Sequence, residues 1–165
     1  MLLFLGCVIV ACLIVTLPWS IVSAFLKSTK TGQKIAIGVS LLALLILIFL
    51  PLAEALLFQF NGLIVIKALL DNSFREILEL FGGSELFPIL LAVLLIAPII
   101  SMGISSFYKN GGVIGGILML CAAIWLLYEL SEMPLFKIGV GTYLYALCAV
   151  FTCFTPLFNG KKVSE

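Results

Sequence analysis

Chemistry in this chain would have to run on very few residues. Glu54 lies inside a long apolar run, three residues after Pro51, and an ionisable group in such a run is expensive unless it faces a cavity or a partner. A proline there leaves backbone carbonyls without helical donors. Glu54 and those carbonyls therefore form a candidate cation or proton site. The plainer alternative is that Glu54 reaches the outer headgroups, a few residues before Gln59 and Asn61. Glu129 is a weaker candidate, because Tyr128, Ser131 and Glu132 mark its surroundings as interface. Ser40, Ser101, Ser105, Thr142 and Tyr145 are the remaining polar groups available to line a path.

The sequence has no histidine and a single aspartate, Asp71. That removes haem ligation of the usual kind, His-carboxylate metal sites and Ser-His-Asp or Cys-His nucleophiles. A paired-aspartate membrane protease is excluded as well. No G-x-x-x-x-G-K-[ST] phosphate loop is present. Cys7, Cys12, Cys121, Cys148 and Cys153 are odd in number and form no C-x-x-C pair, so they read as small buried apolar side chains. The chain is therefore expected to be non-catalytic, with no metal and no cofactor.

The elements that position these residues follow from composition. Of the 165 residues, 64% are hydrophobic and 10% charged, too little polar surface for a soluble domain of this size. A bilayer core of about 30 Å takes roughly 20 apolar residues per helix. The expectation is an all-α integral membrane protein, one polytopic domain over residues 1–165, with about five transmembrane helices.

The expected spans are 2–26, 35–58, 86–108, 112–129 and 138–158. Residues 2–26 resemble a secretory signal in ending near Val22-Ser23-Ala24, but they lack a basic n-region and are too long for an h-region. They read as a retained first span. Thr31 is a plausible N-cap for the second span. Pro98 lies deep enough in the third to kink it, so a neighbour must satisfy the carbonyl it frees.

Basic residues set the orientation. Lys27, Lys30, Lys34, Lys109, Lys161 and Lys162 fall on one side, and Lys67, Arg75 and Lys137 on the other. This places the N-terminus outside and the C-terminus in the cytoplasm, in a membrane expected to be bacterial and cytoplasmic. Glu54, Asp71, Glu76, Glu79, Glu85, Glu129 and Glu132 gather at the outer side. A net charge of +1 argues against a nucleic-acid partner.

Between spans two and three, residues 62–82 form an outer amphipathic segment. Ser73 and Glu76 make a possible capping box, and Gly82-Gly83 a stop. Phe74, Ile77, Leu78 and Phe81 fall at i, i+3, i+4 and i+7, opposite Arg75, Glu76 and Glu79. The short helix they predict lies on the outer surface, where its apolar stripe either plugs the bundle or serves as a docking face. Residues 63–70 are compatible with helix or strand.

Gly111, Gly112, Gly115 and Gly116 give two overlapping G-x-x-x-G spacings at the start of span four, which let helices approach closely in lipid. Span five opens Gly139-Val140-Gly141-Thr142-Tyr143-Leu144, a G-x-G-x-Y-L pattern. With Pro98 and the order of the apolar runs, this resembles small bacterial multi-pass proteins of the paraquat-inducible protein A type across spans two to five. The resemblance implies an accessory role in envelope lipid transport. The zinc-ribbon cysteines of that family are missing, and no functional residue carries over.

A membrane enzyme is the least expected of three function classes, because no catalytic constellation is visible, and two remain in contention. One is a small non-catalytic subunit or assembly factor of a larger membrane complex, with membrane lipids and other membrane subunits, or further copies of itself, as partners. The other is a small oligomeric transporter or channel with Glu54 as its ion or proton site.

Overall fold

The computed structural model describes residues 30–55, 58–64, 67, 87–132 and 136–159. Helices dominate these: α1 spans Thr31–Phe49, α2 Phe87–Phe107, α3 Gly111–Glu132 and α4 Val140–Phe154, the last continuing as a 3-10 helix over Thr155–Asn159. Among the described residues, four helices are long and apolar enough to cross a membrane, counting Val140–Asn159 as one span. The first expected span, 2–26, lies outside the described residues. So does the outer helix with Phe74, Ile77, Leu78 and Phe81.

The second span differs from expectation at both ends. It starts at Thr31, with Lys30 in the N-cap position, and stops at Phe49, well short of residue 58. Proline disfavours helical backbone in the residue before it, and Leu50 is accordingly extended at φ −96°, ψ 150°. Pro51 thus ends the helix, which was expected to run on past it to residue 58. Nineteen residues at a rise of 1.5 Å reach about 28 Å, already a full hydrocarbon core.

The chain beyond α1 also corrects the all-α expectation. Ala53–Ala55 (β1) and Phe58–Phe60 (β2) form a hairpin, and Phe136–Ile138 (β3), between α3 and α4, joins the other edge of β1. Both pairings are antiparallel, with Glu54 opposite Gln59 on one side and Lys137 on the other. Gly62–Ile64 and Lys67, part of the segment that periodicity left open, are helical. The fifth expected span starts two residues late, at Val140, because Ile138 belongs to β3, and runs on to Asn159.

The four helices pack in a ring, each against its two neighbours in the order α1, α2, α3, α4. Leu44, Leu47, Leu90, Leu94, Leu95, Met119, Leu126 and Tyr145 are fully enclosed at its centre. The span in α2 is 67% buried against 39% in each of the others, so its backbone must find every partner within the protein. The sheet closes one end of the bundle. The start of α1, the α2–α3 turn and the 3-10 helix meet at the opposite end.

Candidate functional site at the proline breaks

Pro51 and Pro98 each break the helical backbone, and one short stretch at the start of α4 answers both. Pro51 leaves the chain between α1 and β1 irregular, with carbonyls pointing away from any helical ladder. Gly139 N–H donates to Leu52 O at 2.9 Å, Gly141 N–H to Pro51 O at 2.9 Å, and Thr142 Oγ1 to Leu52 O at 2.8 Å. The glycines are required by space and not by conformation. A Cβ on Gly141 would sit 2.7 Å from Pro51 O, and one on Gly139 2.7 Å from Pro51 C.

The second break is Pro98 within α2. Lacking an N–H, Pro98 cannot bond the carbonyl four residues back, that of Leu94. Tyr145 on α4 donates its hydroxyl to Leu94 O at 3.4 Å, a long contact for an O–H donor. Both groups are fully buried. The span-five opening therefore has a physical role: Gly139, Gly141, Thr142 and Tyr145 supply donors, or room for donors, to three carbonyls near the prolines.

Glu54 is not part of this arrangement. It lies in β1, beyond the end of a full-length α1, half-buried and directly opposite exposed Lys137. That position corrects the expectation that Glu54 lies within a helical span running to residue 58. A directly opposed pair of opposite charge contributes about 0.2–1 kcal/mol to a sheet.

The remaining interior hydroxyls occupy different heights. Ser40 on α1 and Ser101 on α2 share a hydrogen bond of 2.8 Å, and Ser40 also lies 4.0 Å from Met119 Sδ. Ser105, one turn further along α2, is fully buried, and its hydroxyl has no hydrogen-bond partner. Thr142 sits at the opposite end of the bundle. Ser106, Thr152 and Thr155 each donate to a carbonyl of their own chain segment, those of Met102, Cys148 and Thr152.

The glycines of α3 face two ways. A Cβ on Gly111 would meet Ser105 Cα at 2.7 Å, and one on Gly115 would meet Ser101 Cα at 2.8 Å, both on α2. A Cβ on Gly112 or Gly116 would instead press on the last stretch of the fourth span, at 3.0 Å from Thr152 O or 2.9 Å from Ala149 O. All four glycines are buried within the chain's own bundle.

At this end Asn159 acts as a distant cap. Its Oδ1 accepts Gly32 N–H at 3.0 Å, and its Nδ2 donates to Lys109 O at 3.1 Å. Gln33 reaches back to Lys30 N–H through Oε1 at 3.1 Å and donates from Nε2 to Ser105 O, also at 3.1 Å. Sequence reading missed Asn159, because a partner 127 positions away leaves no local signal. Glu129, near the sheet end of α3, accepts from Trp125 Nε1 at 3.2 Å.

Among the described residues, no three His, Cys, Asp or Glu side chains are gathered as metal ligands would be. Cys121 is exposed, while Cys148 and Cys153 are half-buried. Set against family models, curated proteins and solved structures, the chain matches none. The resemblance to the paraquat-inducible type therefore rests on Pro98, the G-x-G-x-Y-L opening and the order of the apolar runs alone.

Proposed function

We propose that the chain is a small non-catalytic subunit or assembly factor of a larger membrane protein complex, docking through its helix faces and the outer amphipathic segment 62–82. The observation that carries this reading is the fate of the interior polar groups. Ser40 and Ser101 bind each other, and Thr142 and Tyr145 hold carbonyls of neighbouring segments. These four are spent on holding segments together at separate heights, and the Ser105 hydroxyl, one turn from Ser101 and without a partner, is by itself too little to line a continuous path. Apolar side chains meanwhile cover the outside, among them Leu42 and Leu45 on α1, Ile114, Ile117 and Ile124 on α3, and Leu147 and Phe151 on α4. Lipids or the membrane helices of other subunits match such faces.

The reading includes a fifth span at 2–26 and a bacterial cytoplasmic membrane, with the N-terminus outside and the C-terminus inside. Lys30, Lys34 and Lys109 at the Asn159 end, against Lys67 and Lys137 toward the sheet end, agree with that orientation. The alternative, an oligomeric transporter using Glu54, draws no support from a carboxylate in β1.

The test is mild solubilisation of native membranes carrying a C-terminally tagged chain, then size separation and mass spectrometry of what travels with it. Stoichiometric company from other membrane subunits is expected. A homogeneous assembly of this chain alone would overturn the accessory reading. Glu54→Gln is expected to leave partner recovery unchanged. A coupled ion flux abolished by that change would revive the transport reading.

A further inference from the structure

We infer that α2 is a two-piece helix hinged at Pro98 and that the Tyr145 hydroxyl is the latch closing the hinge. Three independent observations carry this. The ladder bond across the break is missing, and the donor that replaces it comes from another helix. The two pieces also rest in different apolar clusters that divide at the proline. Leu90 to Ala97 pack with Met119, Leu126, Tyr145 and the rest of the main core, whereas Ile99 and Met102 pack with Ile37 and Leu44 of α1 in a separate one.

Finally, the lower piece is held differently from the upper one. It is tied to α1 by the Ser40–Ser101 bond and by the Gln33 amide on Ser105 O. Toward α3 it lies close against Gly111 and Gly115, whose missing side chains leave the room that Ser101 and the Ser105 backbone occupy. Gly103, in the same piece, has open space where a side chain would be. The lower piece therefore pivots as a unit with the adjoining part of α1 when the contact from Tyr145 to Leu94 opens, while the upper piece stays in the main core. Sharp bends of long helices are localised at prolines in this way, and the hydroxyl sets how often this one opens.

Amide hydrogen exchange across residues 95–102, measured on the full chain in lipid nanodiscs, tests this with four proteins: the parent, Tyr145→Phe, Pro98→Ala and the double variant. Loss of the latch is expected to speed exchange roughly tenfold in the proline background. In Pro98→Ala the alanine N–H takes the Leu94 carbonyl, so Tyr145→Phe then changes exchange little. Equal acceleration in both backgrounds would make Tyr145 a packing residue only and overturn the hinge. No acceleration in either would also overturn it. Should Tyr145→Phe alone not fold, recovery of a folded chain by adding Pro98→Ala supports the latch, and failure to recover refutes it.

Discussion

The two ends of this bundle are closed by opposite means. At the Asn159 end, α3 brings bare glycine backbone against α2 and α4, and short polar side chains cross the remaining gaps. At the sheet end, bulky leucines fill the core while the backbone itself is irregular, and Gly139, Gly141 and Thr142 supply the donors it needs. Apolar burial gives little drive for helix association in lipid, since the tails are as apolar as leucine. Close approach and satisfied carbonyls must then do that work, and the two ends weight them differently: helix-to-helix contact through glycine dominates at the Asn159 end, and donors to the proline-freed carbonyls dominate at the sheet end.

The largest effect should come from adding volume at the glycine end. Gly115→Val places branched carbons where Ser101 already stands and forces α2 and α3 apart, a cost at the upper end of the roughly 1–3 kcal/mol typical of overpacking. The expected outcome is loss of the monodisperse peak on size separation in mild detergent. The contrast is Gly103→Ala, a change into open space, which should be neutral or raise stability by up to about 1 kcal/mol, because alanine is the better helix former. Equal behaviour of the two variants would remove the distinction between a packed and an open glycine.

The next effect belongs to the sheet end. Thr142→Val keeps the shape of the side chain and removes one of two donors on Leu52 O, leaving Gly139 N–H in place. A loss of about 1 kcal/mol is expected, a fall of roughly 2–4 °C in thermal midpoint for a chain of this length. Ser101→Ala, at the middle of the bundle, should cost less, near the 0.6 kcal/mol or so typical of side-chain bonds between membrane helices. A larger loss from Ser101→Ala than from Thr142→Val would reverse the assignment of donor-dependence to the sheet end.

How much of this was legible in the residues differs between the same two regions. Runs of about twenty apolar residues are a direct consequence of bilayer thickness, so the expected spans 86–108 and 112–129 lie close to α2 at Phe87–Phe107 and α3 at Gly111–Glu132. Past Pro51 the run stays apolar, and hydropathy cannot tell a kinked helix from a terminated one. Ala-Glu-Ala has no strand propensity, and β1 exists because β2 and β3 flank it. Glu54 was misplaced for that reason. That Pro98 must free a carbonyl was readable from local chemistry. That Tyr145 answers it was not, because Leu94 and Tyr145 lie 51 positions apart and meet only once the bundle is built.

The smallest effect concerns Glu54 and Lys137, and it bears on what the sheet contributes beyond carbonyl capture. Opposed on neighbouring strands, with Lys137 exposed, their attraction is weakened by water and salt. Lys137→Glu sets two like charges face to face and should cost about 0.5 kcal/mol at low salt, and less as salt is added. Adding Glu54→Lys restores opposite signs in reversed order and should recover most of that loss. If the double variant fails to recover, the register of β1 against β3 is wrong. The position of Gly139 over Pro51 would then need another cause, because β3 is the strand that delivers Gly139 to Leu52.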